Sequence, residues 1–439
     1  LSPKAVQTFL DEVKKNHIEL HSLLIAKDWS VVCEGYWKPY KNEYRHIMYS
    51  VSKTVSATAI GLLYDDGMID VYKPLTEYFP EYAHLAKGYT RELTLHHLLS
   101  MNAGTEDFTT TEVCRNPEKP DWVANFFQLE LTVKPGTHFQ YNTPASYMLC
   151  RIVMELTKKK PLEFLQERLF DKMGIQGAQW DECPMGCNTG GWGLWMRSED
   201  LLKIGLLYLH EGNYQGEQLL SKEWVDIISR HHSDTSRLGD STEKGYGYQV
   251  WLNSIGGYRM WGLFGQYCFI IPQKNIVVVT NAGCHEAQKQ VKLIQKMILE
   301  LEGEGTSSQE EELRKRLETL EVLPLSKKDP SPIAIGTTLS FEMEENDEDY
   351  REISFTFLEE GGFLTLELTE AQGKWVSVLP FGWGHWKEGS FVKKHGLMKY
   401  AGGVKRTVTS GQWEGDSLIL ELRFLETSFA QRWHCRFTN

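Results

Sequence analysis

The chain has 439 residues, 41% hydrophobic and 24% charged, an ordinary balance for a globular protein and enough length for two or three domains with a large core. Its formal net charge of −12, with no Lys/Arg-rich run, disfavours nucleic acid or an anionic membrane as partner, since an acidic surface releases no counterions there. The longest apolar runs, such as Ile276-Val277-Val278-Val279, are strand-sized and exclude a helical membrane span. Eight scattered cysteines read as mostly reduced core thiols. Cys183-Pro-Met-Gly-Cys187 is the one close pair; it lacks a second pair or a histidine at zinc spacing, so loop cysteines and no metal are expected. The sequence starts at Leu1 without a signal-like apolar segment, which makes a cytoplasmic location the expectation and leaves export open.

In chain order, residues 1–49 read as an amphipathic helix (Ala5, Phe9, Leu10, Val13) and two strands, His21–Ala26 and Ser30–Glu34, joined at Lys27-Asp28. A helix then opens at Ser50, carries Val55, Ala59, Leu62 and Leu63 at helical spacing, and stops at Asp65-Asp66-Gly67. The stretch from Ser50 to about Met196 is mostly helical, with Leu93–Leu99 capped by Thr94, then Ala145–Glu155 and Leu162–Phe170. A helix at Ser198–Leu209, capped by Ser198, precedes glycine-punctuated β runs at 245–252, 257–265, 267–271 and 276–280, and a helix follows from about Glu286 to Leu301. Strands at both ends of a helical middle predict one sheet assembled from both ends. Residues 304–332 read as a linker, and 333–439 as a small antiparallel β domain, a barrel or a sandwich, in which alternating runs such as Phe363-Leu-Thr-Leu-Glu-Leu recur between turns. Domain one is then 1–303.

The chemistry centres on Ser50. A serine hydroxyl is a weak nucleophile until a neighbour takes its proton, and Lys53, one helical turn on, projects over the same face. Lysine serves as a base only when its pKa is lowered. Ser-x-x-Lys recurs at Ser241–Lys244, in a polar loop, and at Ser390–Lys393, in the strand-rich tail, but only Ser50 opens an apolar helix, where free N–H groups favour a developing oxyanion. Two further stretches could complete a site. Tyr141-Asn142-Thr143 offers a phenol able to move a proton near a lysine, against the plainer reading of Tyr141 as a packed aromatic. Trp261-Gly262-Leu263 offers a strand that a substrate can approach closely and an N–H to pair with that of Ser50, against the plainer reading of a bulge.

The order Ser50-Val-Ser-Lys53, Tyr141-Asn-Thr143, Trp261-Gly262-Leu263, on a split-sheet plan with a helical middle, resembles the serine β-lactamase and penicillin-binding-protein superfamily. Within it the chain is most similar to class C-like esterases, D-aminopeptidases and 6-aminohexanoate-oligomer hydrolases, over roughly residues 5–300. Stretches at 93–104, 190–194 and 266–272 look like family framework. The resemblance implies an α/β (α+β) fold, an antiparallel sheet flanked by helices plus an all-helical subdomain, with the cleft between them. It also implies Ser50 as acylated nucleophile, Lys53 as proton acceptor, Tyr141 as shared acid/base, and the N–H groups of Ser50 and Leu263 as oxyanion hole. Two departures stand out: Thr143 occupies the place where the family usually has Asn, with Asn142 beside the tyrosine, and no cation precedes Gly262, which argues against penicillins and peptidoglycan stems as main substrates.

The expectation is therefore a metal-free, cofactor-free serine hydrolase that cleaves a small ester or amide through an acyl-enzyme. Its rivals are a β-lactamase or D-Ala-D-Ala peptidase, and a non-catalytic binding protein on the same fold. No Gly-x-Ser-x-Gly elbow or His-Glu-x-x-His helix offers another hydrolytic route, and His96, His97, His231 and His232 read as structural or exposed. For the tail the residues do not choose among shaping the cleft mouth, binding a partner and making a homodimer; its tryptophans (Trp375, Trp383, Trp386, Trp413, Trp433) read first as core.

Overall fold

A computed structural model describes residues 1–326, 329–346, 349–370, 373–393 and 403–437. Lys327 and Lys328, in the stretch expected to be a linker, lie outside them. The chain divides into two compact units, Leu1–Tyr36 with Arg45–Thr319, and Trp37–Tyr44 with Leu320–Asn439.

The first unit is built on a seven-stranded antiparallel sheet. Its strands are Leu20–Lys27 (β1), Ser30–Tyr36 (β2), Glu243–Tyr246 (β3), Trp251–Asn253 (β4), Tyr258–Gly262 (β5), Gln266–Ile271 (β6) and Ile276–Ala282 (β7). The spatial order is β2-β1-β7-β6-β5-β4-β3, so the strand pair from the start of the chain joins the five late strands through the β1–β7 ladder, Leu24 opposite Val279 and Ala26 opposite Val277. This is the sheet from both ends that the alternating runs predict. The run at 245–252 is not one strand: the chain turns between β3 and β4, where Gln249 takes φ +60° and its side-chain Nε2 donates to the carbonyls of Leu98 and Leu99.

The main helices of this unit are Pro3–Lys15 (α1), Val51–Asp65 (α2), Thr143–Thr157 (α3), Ser198–Leu209 (α4), Ala287–Glu300 (α5) and Ser307–Glu318 (α6). Helix α4 packs on β1, β6 and β7, α1 packs on α5, and α2 lies between α3 and strands β5 and β6. The segment read as Leu162–Phe170 is a short helix, Pro161–Leu165, continued by a wider turn at Gln166–Phe170. Arg197, not Ser198, is the N-cap of α4, because the Ser198 hydroxyl is taken by Asn281 Oδ1 at 2.6 Å. Within the stretch expected to be a linker, α6 packs on α1 and β2 with Leu313 buried, and Arg316 donates to the Gln7 carbonyl at 3.1 Å.

The second unit is one eight-stranded antiparallel sheet rather than two packed sheets. In sequence and in space it runs Thr338–Glu342 (β8), Tyr350–Leu358 (β9), Gly361–Glu370 (β10), Gly373–Trp383 (β11), Lys387–Lys393 (β12), Gly403–Glu414 (β13), Ser417–Phe424 (β14) and Ala430–Arg436 (β15), with an added parallel contact between β11 and β13. It curls into a half-barrel: Phe437, just past the last strand, meets Phe341 of the first at 6.1 Å between ring centroids. Its core holds Phe355, Phe357, Phe381, Trp413 and Leu420; Trp413 is buried, as read, whereas Trp375 is 42% exposed.

Candidate active site

Helix α2 has almost no polar face, since every residue from Val51 to Leu63 is buried. Its hydroxyls must therefore find partners inside the protein. Thr54 donates to the Gln249 carbonyl at 2.7 Å and Thr58 pairs with the Tyr208 hydroxyl at 2.7 Å. Ser56 donates to the Gly190 carbonyl at 2.8 Å, while Ser52 accepts the Leu194 N–H at 3.2 Å. These two serines, one turn apart, fasten the Gly190–Leu194 segment along the helix.

Ser50 is the N-cap of α2. An N-cap serine ordinarily turns its oxygen onto an amide of the first turn. Here the backbone is helical (φ −73°, ψ −5°), the side chain makes no capping bond, and its Oγ accepts from Lys53 Nζ at 2.9 Å. The preceding residue, Tyr49, has φ +45°, a conformation that non-glycine residues rarely adopt and that sharpens the turn presenting the serine.

Lys53 is 1% exposed and also donates to the Gly191 carbonyl at 2.7 Å. Burial alone drives its pKa down from 10.5 to about 7, because the ammonium loses hydration and no charged partner restores it. Gly191 must be glycine: a Cβ there would lie 2.5 Å from Thr143 Cγ2 and 3.4 Å from Lys53 Nζ.

Tyr141 comes from the other side. Its ring lies 4.9 Å from Lys53 Nζ, stacks on Trp251 at 5.7 Å and meets the edge of Tyr246. Burial pushes its phenol well above the usual range, partly offset by a hydrogen bond with Ser50. Alcohol, amine and phenol thus meet at one point. Asn142 is fully buried and caps α3, accepting from Ala145 N–H at 3.3 Å and Thr109 Oγ1 at 3.2 Å while donating to Thr105 at 3.1 Å. These bonds fasten the start of α3 directly after Tyr141. Thr143, partly exposed, lies against Gly191 across from Lys53.

The third stretch closes the site. A Cβ on Gly262 would sit 2.3 Å from the Met48 carbonyl, so this strand end lies flush against the turn that presents Ser50. Phe264, at φ +61°, packs edge-on against Tyr49 at 5.3 Å. Leu263 is 57% exposed, and the Trp261 ring meets Trp251 at 5.2 Å. Arg259, two residues before Trp261, points into the interior, where it donates to Asn253 Oδ1 at 2.8 Å and lies 3.6 Å from Glu243.

Of the three Ser-x-x-Lys matches, Ser241, Lys244 and Ser390 are exposed, which leaves the one at Ser50 as the built site. His96 bonds the Tyr248 hydroxyl and His232 the Ile227 carbonyl, both structural, and His231 is exposed. All eight cysteines are free thiols. Among the described residues no group of three His, Cys, Asp or Glu side chains is arranged to hold a metal, and no helix is long and apolar enough to cross a membrane. Sequence reasoning missed Gly191, although its glycine-rich segment was recognised as framework. The signal available was the Ser52/Thr54/Ser56/Thr58 alternation in an apolar helix, which requires a partner segment.

A family model described as Beta-lactamase matches residues 6–283. The 6-aminohexanoate-dimer hydrolase of Paenarthrobacter ureafaciens is 26% identical over 280 residues, 59% of this chain and 71% of that enzyme. The lovastatin esterase of Penicillium rubens is 30% identical over 157 residues, 30% of this chain and 39% of that protein. In fold, the octameric penicillin-binding protein homologue from Pyrococcus abyssi aligns with a TM-score of 0.56 at 15% identity, covering 95% of this chain and 97% of that one.

Proposed function

The chain belongs to the beta-lactamase family, and from that premise we propose that it cleaves a small ester or amide through an acyl-enzyme on Ser50. The observation that carries this reading is the meeting of Ser50 Oγ with Lys53 Nζ at 2.9 Å and with the Tyr141 hydroxyl, where burial lowers the amine to about 7.

In the proposed cycle the neutral Lys53 amine takes the Ser50 proton as Oγ bonds to the substrate carbonyl carbon, and the carbonyl oxygen becomes an oxyanion facing the N–H groups of Ser50 and Leu263. Collapse breaks the bond to the leaving alcohol or amine, which receives its proton from Tyr141. The phenol recovers one from the Lys53 ammonium. Water, giving up a proton to the same pair, then attacks the acyl carbonyl; the Ser50 Oγ–acyl bond breaks, Oγ takes that proton back, and the acid leaves. Tyr141 enters as a donor because burial keeps its phenol protonated at neutral pH.

Two relatives named for ester and 6-aminohexanoate-dimer hydrolysis support this substrate class. The β-lactam and peptidoglycan reading is weaker because Trp261 stands where a cation would meet the substrate carboxylate and Arg259 is buried with Glu243. The non-catalytic reading would suit a lysine turned away from Ser50, whereas here it donates to it. A fluorophosphonate probe should label Ser50 and leave Ser50→Ala unlabelled; a wild-type enzyme with no acylated serine would sink the proposal.

A further inference from the structure

In the acyl-enzyme mechanism the oxyanion donor Leu263 N–H sits in an exposed turn, which must be held still to serve. The three carbonyls of Leu263-Phe264-Gly265 are all tied inward. Leu263 O accepts from Gln266 Nε2 at 3.0 Å, Phe264 O from the Cys284 N–H at 3.0 Å, and Gly265 O from Gln290 Nε2 at 3.1 Å. The first of these bonds comes from a fully buried amide.

Gln266 reaches beyond the turn. Its Nε2 also donates to the Ala282 carbonyl at 2.8 Å, and its Oε1 accepts from Ala282 N–H at 3.1 Å and Asn281 Nδ2 at 3.0 Å. Two donated and two accepted bonds fill what a neutral amide can offer. A carboxylate has no donor for Leu263 O, and an aliphatic side chain has nothing. Asn281 is anchored in turn by Ser198 Oγ, donating to its Oδ1 at 2.6 Å, and its Nδ2 lies 3.9 Å from Met48 Sδ. Met48 is the residue whose carbonyl Gly262 abuts, two positions before Ser50.

We propose that Gln266 is a positioning residue for the oxyanion hole: by holding Leu263 O, in the peptide that follows the one carrying the Leu263 N–H, and through Asn281, it fixes the orientation of residue 263 against the Ser50 turn before substrate arrives. This rests on the acyl-enzyme reading. Preorganised donors matter most where charge develops, so their loss appears in the transition state more than in substrate binding.

The test is Gln266→Met, close in size but without donor or acceptor. The expected result is a fall of about 10–100-fold in kcat/KM for a p-nitrophenyl ester, below the ~10²–10³ for outright loss of one donor. KM should stay within about threefold. Affinity for a boronic acid, which adds to Ser50 Oγ as a tetrahedral anion, should fall in parallel with kcat/KM, a coupling that general destabilisation does not produce. Should the methionine variant not fold, Gln266→Asn, which keeps the amide but draws it back by one methylene, gives the same two readings. Wild-type kcat/KM and boronate affinity with only a lower Tm would overturn the inference and leave the hydrolase reading standing, provided Ser50→Ala is inactive. A fully active Ser50→Ala would instead remove the reading on which it rests.

Discussion

Lys53 is where chemistry and stability meet on a single side chain. With its pKa lowered to about 7, the amine is a base above that pH and an ammonium below it. The acid limb of kcat/KM is therefore expected near pH 7, with a plateau above, and Lys53→Met is expected to lower kcat/KM by about 10²–10⁴. A limb that stayed near pH 4 would remove Lys53 from the role of base. The same shift acts on folding with a definite sign. Between about 7 and 10.5 the unfolded chain holds a proton on this lysine that the folded protein does not, so the contribution of this group to stability rises with pH across that window. Thermal melts of Lys53→Met from pH 7 to 10 should show a flatter dependence than wild type.

At the scale of elements, the site is a junction of three backbone segments, two of them carrying a glycine where a neighbour leaves no room for a methyl group. Helix α2 supplies Ser50 and Lys53, the segment fastened by Ser52 and Ser56 supplies the Gly191 carbonyl, and the end of β5 supplies Gly262. Gly191→Ala forces a Cβ to within 2.5 Å of Thr143 Cγ2 and 3.4 Å of the amine. The strain of such overpacking costs about 1–3 kcal/mol. Kinetics and melts should show kcat/KM down by at least about tenfold with a measurable drop in Tm, because the carbonyl that fixes Lys53 must move. A variant with wild-type rates would mean that Gly191 does not orient the amine.

For the whole molecule, the distribution of charge bears on what enters the cleft. The chain is acidic overall, and the cation closest in sequence before Trp261, Arg259, is 1% exposed and engaged with Asn253 and Glu243. A charge-assisted hydrogen bond to a substrate carboxylate contributes about 1.5–3 kcal/mol, roughly 10–150-fold in rate. Simple uncharged esters should accordingly exceed nitrocefin in kcat/KM by at least about tenfold. Comparable rates on the two would return β-lactams to the front.

Periodicity and local chemistry determined a good deal by themselves: the helix behind Ser50, the capped start at Thr94, the β runs at both ends of the first unit, and the choice of Ser50 over Ser241 and Ser390 because it alone opens an apolar helix. These features depend on near neighbours in the chain, and near neighbours are what a sequence displays. Only the folded chain decided that Gln249 turns the expected long strand into two, that Asn142 is a buried cap, that Asn281 takes the Ser198 hydroxyl from its helix, that Gly191 lies against Lys53, and that Gln266 bonds both Leu263 O and Asn281. The pKa of Lys53 is of this second kind, since desolvation comes from whatever packs around an amine, and Tyr141 and Gly191 arrive there from 88 and 138 positions along the chain.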